Sequence, residues 1–174
     1  MSVAKASARL RIILVFIEAP VPFGNAAARW FDVLLRELCA RGHQVRAFSA
    51  CSKAEEMRAA RELFPSAKYD LRLYPFPDRA GLSAKLGTLR RPYSYMFSSQ
   101  LCEDLKLELK KDFDVLHLEQ LWSSYLGLNH SERALVNVHS LYEIDLGAIR
   151  PRGLRQRCDR WFLLRSERRV LRRL

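Results

Sequence analysis

The chain has 174 residues, 49% hydrophobic and 28% charged, proportions that exclude a disordered chain or a fibrous repeat and leave room for one domain at about 100 to 200 residues each. Thirty Lys and Arg against 19 Asp and Glu give +11, of which a net +8 falls between Arg150 and Leu174, where ten arginines face Asp159 and Glu167. The first 149 residues therefore carry only +3, so the basic character is terminal.

Ile12 to Ile17 (IILVFI) is an unbroken apolar run behind Lys5, Arg9 and Arg11. It falls short of the ~7 to 15 residues of a secretory core and the ~20 of a membrane span, and Glu18 and two prolines follow it. It reads as a strand covered on both faces, as in a parallel sheet. After the turn residues EAPVPFGN, the residues Ala27, Trp30, Phe31, Leu34 and Leu38 recur at helical spacing with Arg29, Asp32 and Arg36 opposite, an amphipathic helix closed at Gly42. A second strand begins over Val45 to Phe48. Ser52 with Glu55 has the form of a capping box for a helix to about Phe64. Leu71 to Tyr74 alternates as a short edge strand, ended by Pro75 and Pro77.

Asp78 to Pro92 reads as an exposed loop or short helix, followed by a longer helix from about Ser94 to Lys111. Val115 to Leu118 and Leu135 to Val138 are further short apolar strands, with a short helix around Tyr125 to Leu128. Alternation of strands and helices predicts an α/β domain with an open, mostly parallel, Rossmann-like sheet covered by helices on both faces. Ligands bind such sheets beyond the carboxyl ends of the strands. That rule selects Glu18 to Asn25, then Glu119 and Gln120, then His139 and Ser140. His117 reads as packing, and His43 and His130 belong to turns. The cysteines Cys39, Cys51, Cys102 and Cys158 form no CxxC or Cys/His cluster, so neither a zinc site nor a disulfide framework is indicated and a reducing cytoplasm fits.

Pro22, Gly24, Arg29, Leu34, Leu35 and the closure Arg41 to Val45 follow a pattern, as do FDVLHLEQL and ALVNVHSL further on. Together these segments resemble the N-terminal, acceptor-side domain of glycosyltransferases with the GT-B fold, retaining family four. Asn25 departs from the second loop glycine that many members have, a position where Asn tolerates positive φ. The resemblance implies a hexosyltransferase-type enzyme that moves a sugar from a nucleotide-sugar donor to a saccharide or lipid-linked acceptor, in polysaccharide or glycolipid assembly, without cofactor or metal. It implies that His139 assists at the donor sugar and leaving group, that Pro22, Phe23, Gly24 and Asn25 form the loop on the donor-diphosphate and acceptor side, and that Glu119 and Gln120 meet the acceptor. Residues 1–174 then correspond to the first domain, with 154–174 a basic helix leading towards a donor-binding domain beyond Leu174. A chain truncated there is expected to be inactive alone.

No GxGxxG or Walker lysine supports dinucleotide or P-loop binding, and no nucleic-acid-binding signature accompanies the arginines, so nucleic acid ranks last. The terminal arginines admit two readings: a helix that packs Trp161, Phe162 and its aliphatic residues inward, or contact with an anionic membrane through Arg155, Arg160, Arg168 and Arg172. The second suits a cytoplasmic protein peripheral at the inner membrane face, and it also suits an alternative function, a stand-alone Rossmann-like binding module.

Overall fold

The uninterrupted apolar run near the start becomes the middle of the molecule because it lies between neighbours on both edges and helices on both faces. In the computed structural model, which describes residues 8–77, 96–139, 141–145, 151 and 153–173, the strands are β1 (Arg11–Phe16), β2 (Gln44–Cys51), β3 (Asp70–Pro75), β4 (Val115–Glu119) and β5 (Ala134–Asn137). They form one sheet of order β3-β2-β1-β4-β5, with every pair parallel. Ile12 stands opposite Val45 on one side and Val115 on the other, and Ile13 to Phe16 are completely buried. This is a Rossmann-like α/β fold. The chain steps outward from β1 to β3, then crosses back over β1 to β4. The direction reverses between β1 and β4, the switch point beyond whose carboxyl ends ligands bind in sheets of this kind.

The helices α1 (Ala26–Ala40) and α2 (Ala54–Leu63) cover one face, and α3 (Ser99–Glu108) covers the other. On the first face, Phe31 of α1 stacks on Phe16 with ring centroids 4.6 Å apart, and Met57 and Ala60 of α2 cluster with Cys51. On the second, Leu101 and Leu105 of α3 join Leu116 and Leu118 in the main core. Polar bonds lock the same face: Tyr74 donates to Asp104 at 2.8 Å, and the buried Glu108 binds Arg46, Arg72 and Lys111. A single-turn helix α4 (Tyr142–Asp145) and an 18-residue helix α5 (Leu154–Leu171) complete the elements.

The predicted strands are all present, with β2 running on to Cys51 and β3 at the sheet edge as expected. Gly42, at φ +83°, closes α1. Local details differ. Ser52 forms no capping box: α2 starts at Ala54 behind Lys53, which makes no side-chain cap, while Lys53 instead bonds Glu56 at 2.6 Å. The segment expected to be helical around Tyr125 to Leu128 is a 3₁₀ turn over Leu121–Leu126. α3 is capped by Ser98, whose hydroxyl accepts from the Leu101 amide, so that helix begins later than the sequence suggests. The expected loop over Asp78 to Pro92 lies outside the described residues.

Two helix faces also depart from the expected pattern. In α1, Asp32 is buried and bound to Arg36 at 2.9 Å, whereas Trp30, placed with the apolar stripe by spacing, is 43% exposed. In α5 the inward reading holds only in part: Leu163, Leu164 and Val170 are half-buried, whereas Leu154, Trp161, Phe162 and Leu171 are exposed, and the most buried side chain among the described residues of the helix is Glu167, which accepts from the Glu143 amide at 3.0 Å.

Candidate functional site

Alternation along β4 sends Leu116 and Leu118 to the α3 face and His117 and Glu119 to the α1 face. Glu119 is the last residue of β4, at the carboxyl edge of the sheet, and its side chain is 0% exposed. A buried carboxylate is tolerated only when its lone pairs are taken up, and three elements do this. Oε1 accepts from the Trp30 indole of α1 at 3.2 Å. Oε2 accepts from Nδ2 of Asn137, the last residue of β5, at 3.1 Å, and lies 3.0 Å from Nε2 of His139, two residues further on. His117 Nε2 also lies 3.0 Å from Oε1, an ion-pair distance without the alignment of a hydrogen bond, and that buried nitrogen makes no other hydrogen bond.

Burial alone would push the Glu119 carboxyl up, but the His117 and His139 imidazoles and the Trp30 indole outweigh it and hold the carboxyl below its ordinary value. Glu119 is therefore an anion at neutral pH. As an acceptor it selects the tautomer of His139 that carries hydrogen on Nε2. Nδ1 is then left as an acceptor when the ring is neutral and as a donor when it is protonated. The imidazole is 38% exposed, so it is held from below and open from above.

The backbone beside this carboxylate is strained. Gln120 has φ +73° with ψ 146° and is the sole non-glycine at positive φ among the described residues, a conformation that costs on the order of 1–3 kcal/mol. It is over-determined by its neighbours. Its amide donates to the Asn137 carbonyl at 2.9 Å, and its carbonyl accepts from the Ser123 amide and hydroxyl at 3.1 Å each. The first of these bonds ties the end of β4 to the end of β5, and the Ser123 bonds hold the turn that follows Gln120.

The loop Pro22, Phe23, Gly24 and Asn25 follows the carboxyl end of β1 and is exposed. Gly24 takes φ +108°, which favours glycine. Asn25 is not in the left-handed region; at φ −75° it is the N-cap of α1, its side chain accepting from the Ala28 amide at 2.9 Å. Among the described residues no hydrogen bond or ion pair joins this loop to Glu119. The link is through α1, which places Trp30 on the carboxylate little more than one turn after Asn25.

The sequence-selected residues Glu119 and His139 thus meet, with Gln120 beside them, while Ser140 lies outside the described residues. His117, read from sequence as packing, and Trp30, read as core, both belong to the cluster, as does Asn137. The spacing His117-x-Glu119 was the available signal, since residues two apart on a strand share a face. Of the terminal arginines, Arg168 is engaged by Glu143, Arg160 has a partner of its own, Arg172 is exposed just beyond α5, and the Arg155 side chain lies outside the description. No helix among the described residues is long and apolar enough to cross a membrane.

No curated protein and no solved structure matches the chain. The family model of the glycosyl transferase 4-like domain matches residues 25–174, which takes in α1, the cluster on β4 and β5, and the basic helix α5. With 150 of the 174 residues covered, the chain belongs to the glycosyl transferase 4-like domain family.

Proposed function

We propose that this chain is the acceptor-side half of a GT-B glycosyltransferase that transfers a sugar from a nucleotide-sugar to a saccharide or lipid-linked acceptor, with retained configuration and no metal. The observation that carries the reading is the buried Glu119 carboxylate holding His139 at the carboxyl ends of the parallel strands. Fold alone would not select this chemistry.

In this reading His139 uses the ring nitrogen that Glu119 does not occupy to bind a sugar hydroxyl or to stabilise charge on the departing phosphate. The Glu119 anion keeps the imidazole oriented. In α1, Asn25 already caps the Ala28 amide, which leaves the amides of Ala26 and Ala27 at the helix start as donors for a phosphate beside the Pro22 to Asn25 loop. Glu119 meets no acceptor directly, because all of its side chain is enclosed; Gln120 is the better candidate for that contact. Catalysis then rests on positioning and charge stabilisation.

Saturation-transfer NMR with UDP-glucose, GDP-mannose and candidate acceptor sugars tests this, on the wild type and on His139→Ala. Acceptor sugars should bind, the variant should weaken them, and the nucleotides should bind poorly because their main site lies in a second domain. Absence of sugar binding in the wild type would sink the assignment, and robust turnover by the 174-residue chain would sink the half-enzyme reading.

A further inference from the structure

His139 stands two residues beyond the end of β5, so the sheet alone does not fix it. Glu119 holds one nitrogen of its ring, but a 38% exposed imidazole on a connecting segment keeps one position only where the backbone is held on both sides. On the amino side the hold is at the end of β5: the Asn137 carbonyl accepts from the Gln120 amide at 2.9 Å, and Asn137 Nδ2 donates to Glu119. The carboxyl side leads into α4, whose turn opens at Leu141, the carbonyl that accepts from the amides of Ile144 and Asp145. A helix of one turn is not stable by itself in water.

α5 supplies the missing hold. Two consecutive residues of α5 grip one residue of α4: Glu167 accepts from the Glu143 amide at 3.0 Å, and Arg168 donates through Nε, at 3.2 Å, and through Nη2 to the two oxygens of the Glu143 carboxylate. Such a bidentate fork fixes orientation as well as distance. Glu167 is 2% exposed, a buried carboxylate that accepts from a backbone amide near the start of a short helix. The Arg168 guanidinium holds the Glu143 carboxyl below its ordinary value, so this pair is ionised at neutral pH.

We propose that Glu143, Glu167 and Arg168 are positioning residues for His139: the clasp of α5 on α4 fixes the carboxyl side of the segment between Asn137 and Glu143 and thereby sets where the imidazole meets Glu119. In this way α5, whose own residues are absent from the Glu119 cluster, acts on that cluster through α4. The consequence for sugar or phosphate binding rests on the function proposed above for His139, whereas the positioning itself does not.

Histidine ring NMR of the 174-residue chain, recorded with the rings neutral, tests the proposal. The His139 signals are assigned by their loss in His139→Ala, and the wild-type ring should show the tautomer with hydrogen on Nε2. Arg168→Gln opens the exposed half of the clasp and Glu167→Gln weakens the buried half. Each should shift the His139 signals and mix in the other tautomer. Glu167→Gln should also speed exchange of the Glu143 amide by about fivefold, the difference between a charged and a neutral acceptor. Salt at about 1 M screens the exposed pair and should move the wild-type signals towards those of Arg168→Gln, while leaving that variant unmoved. Arg169→Gln makes the same change of charge at the next, exposed position and should leave the His139 signals in place. Unchanged His139 signals in Arg168→Gln and Glu167→Gln overturn the proposal, as does an equal shift in Arg169→Gln. Sugar titrations are read separately: ring signals that move as expected in a chain that binds no sugar keep the clasp and remove the function, and sugar binding with unmoved ring signals does the reverse.

Discussion

Replacing Glu119 removes a group that ties α1, β4 and the residues after β5 together. Its carboxylate takes three hydrogen bonds, from Trp30, Asn137 and His139, and hydrogen bonds to a charged group contribute about 1.5–3 kcal/mol each. Trp30 and His139 are 43% and 38% exposed and recover water when the carboxylate goes, and a leucine returns some apolar contact. Glu119→Leu should therefore destabilise by about 2–4 kcal/mol. Glu119→Gln keeps the volume and one acceptor but points an amide at donors, and should cost about 1–2 kcal/mol. Urea unfolding followed by far-ultraviolet circular dichroism measures both. The pH dependence separates charge from shape. Because the folded-state carboxyl is held below its unfolded value, its contribution is present above the unfolded pKa of about 4.3 and lost as pH falls through the folded value. The difference between wild type and Glu119→Gln should be constant near neutrality and shrink in acid. A Leu variant within about 0.5 kcal/mol of wild type, or a pH-independent difference, would refute the account of Glu119 as an ionised hub.

Three further outcomes follow from other contacts. Asn25→Ala removes the cap on the Ala28 amide and should lower stability by about 1 kcal/mol in the same urea assay. Glu108→Ala leaves Arg46, only 20% exposed, without its carboxylate and releases Arg72 and Lys111; breaking a buried pair costs about 3–5 kcal/mol, and the more exposed partners bring the expected loss to about 2–3 kcal/mol. The Cys51 thiol is pushed up to about 11, mainly by burial, so at mildly alkaline pH it should resist a thiol reagent that modifies the exposed Cys158 and should react only on unfolding.

Much of the fold was legible because it is written in local patterns. An apolar run without alternation, IILVFI, belongs in a strand covered on both faces, and β1 is that strand at the centre of the sheet. Gly42 marks the end of α1, and the rule that ligands gather at the carboxyl ends of parallel strands put Glu119 and His139 on the same short selection before any contact between them was known. Where local rules competed, the sequence reading lost. Ser52 and Glu55 have capping-box spacing, yet Lys53 and Glu56 make the bond at that helix start. Trp30 has the spacing of a core residue, but periodicity says only which residues share a side of a helix, not how far the covered surface extends.

The sequence by itself determined the class of fold, the strand ends and the basic terminus, because strand and helix periods are properties of neighbouring residues. The tertiary structure decided the order β3-β2-β1-β4-β5, and with it that β4 and β5 lie side by side so that Glu119 can hold His139 across 20 positions and Trp30 can reach Glu119 across 89. It also decided which terminal arginines are committed, since Arg168 finds Glu143 while Arg169 and Arg173 join lysines from α3 along one groove. These pairings depend on how distant segments pack, and no local period encodes that.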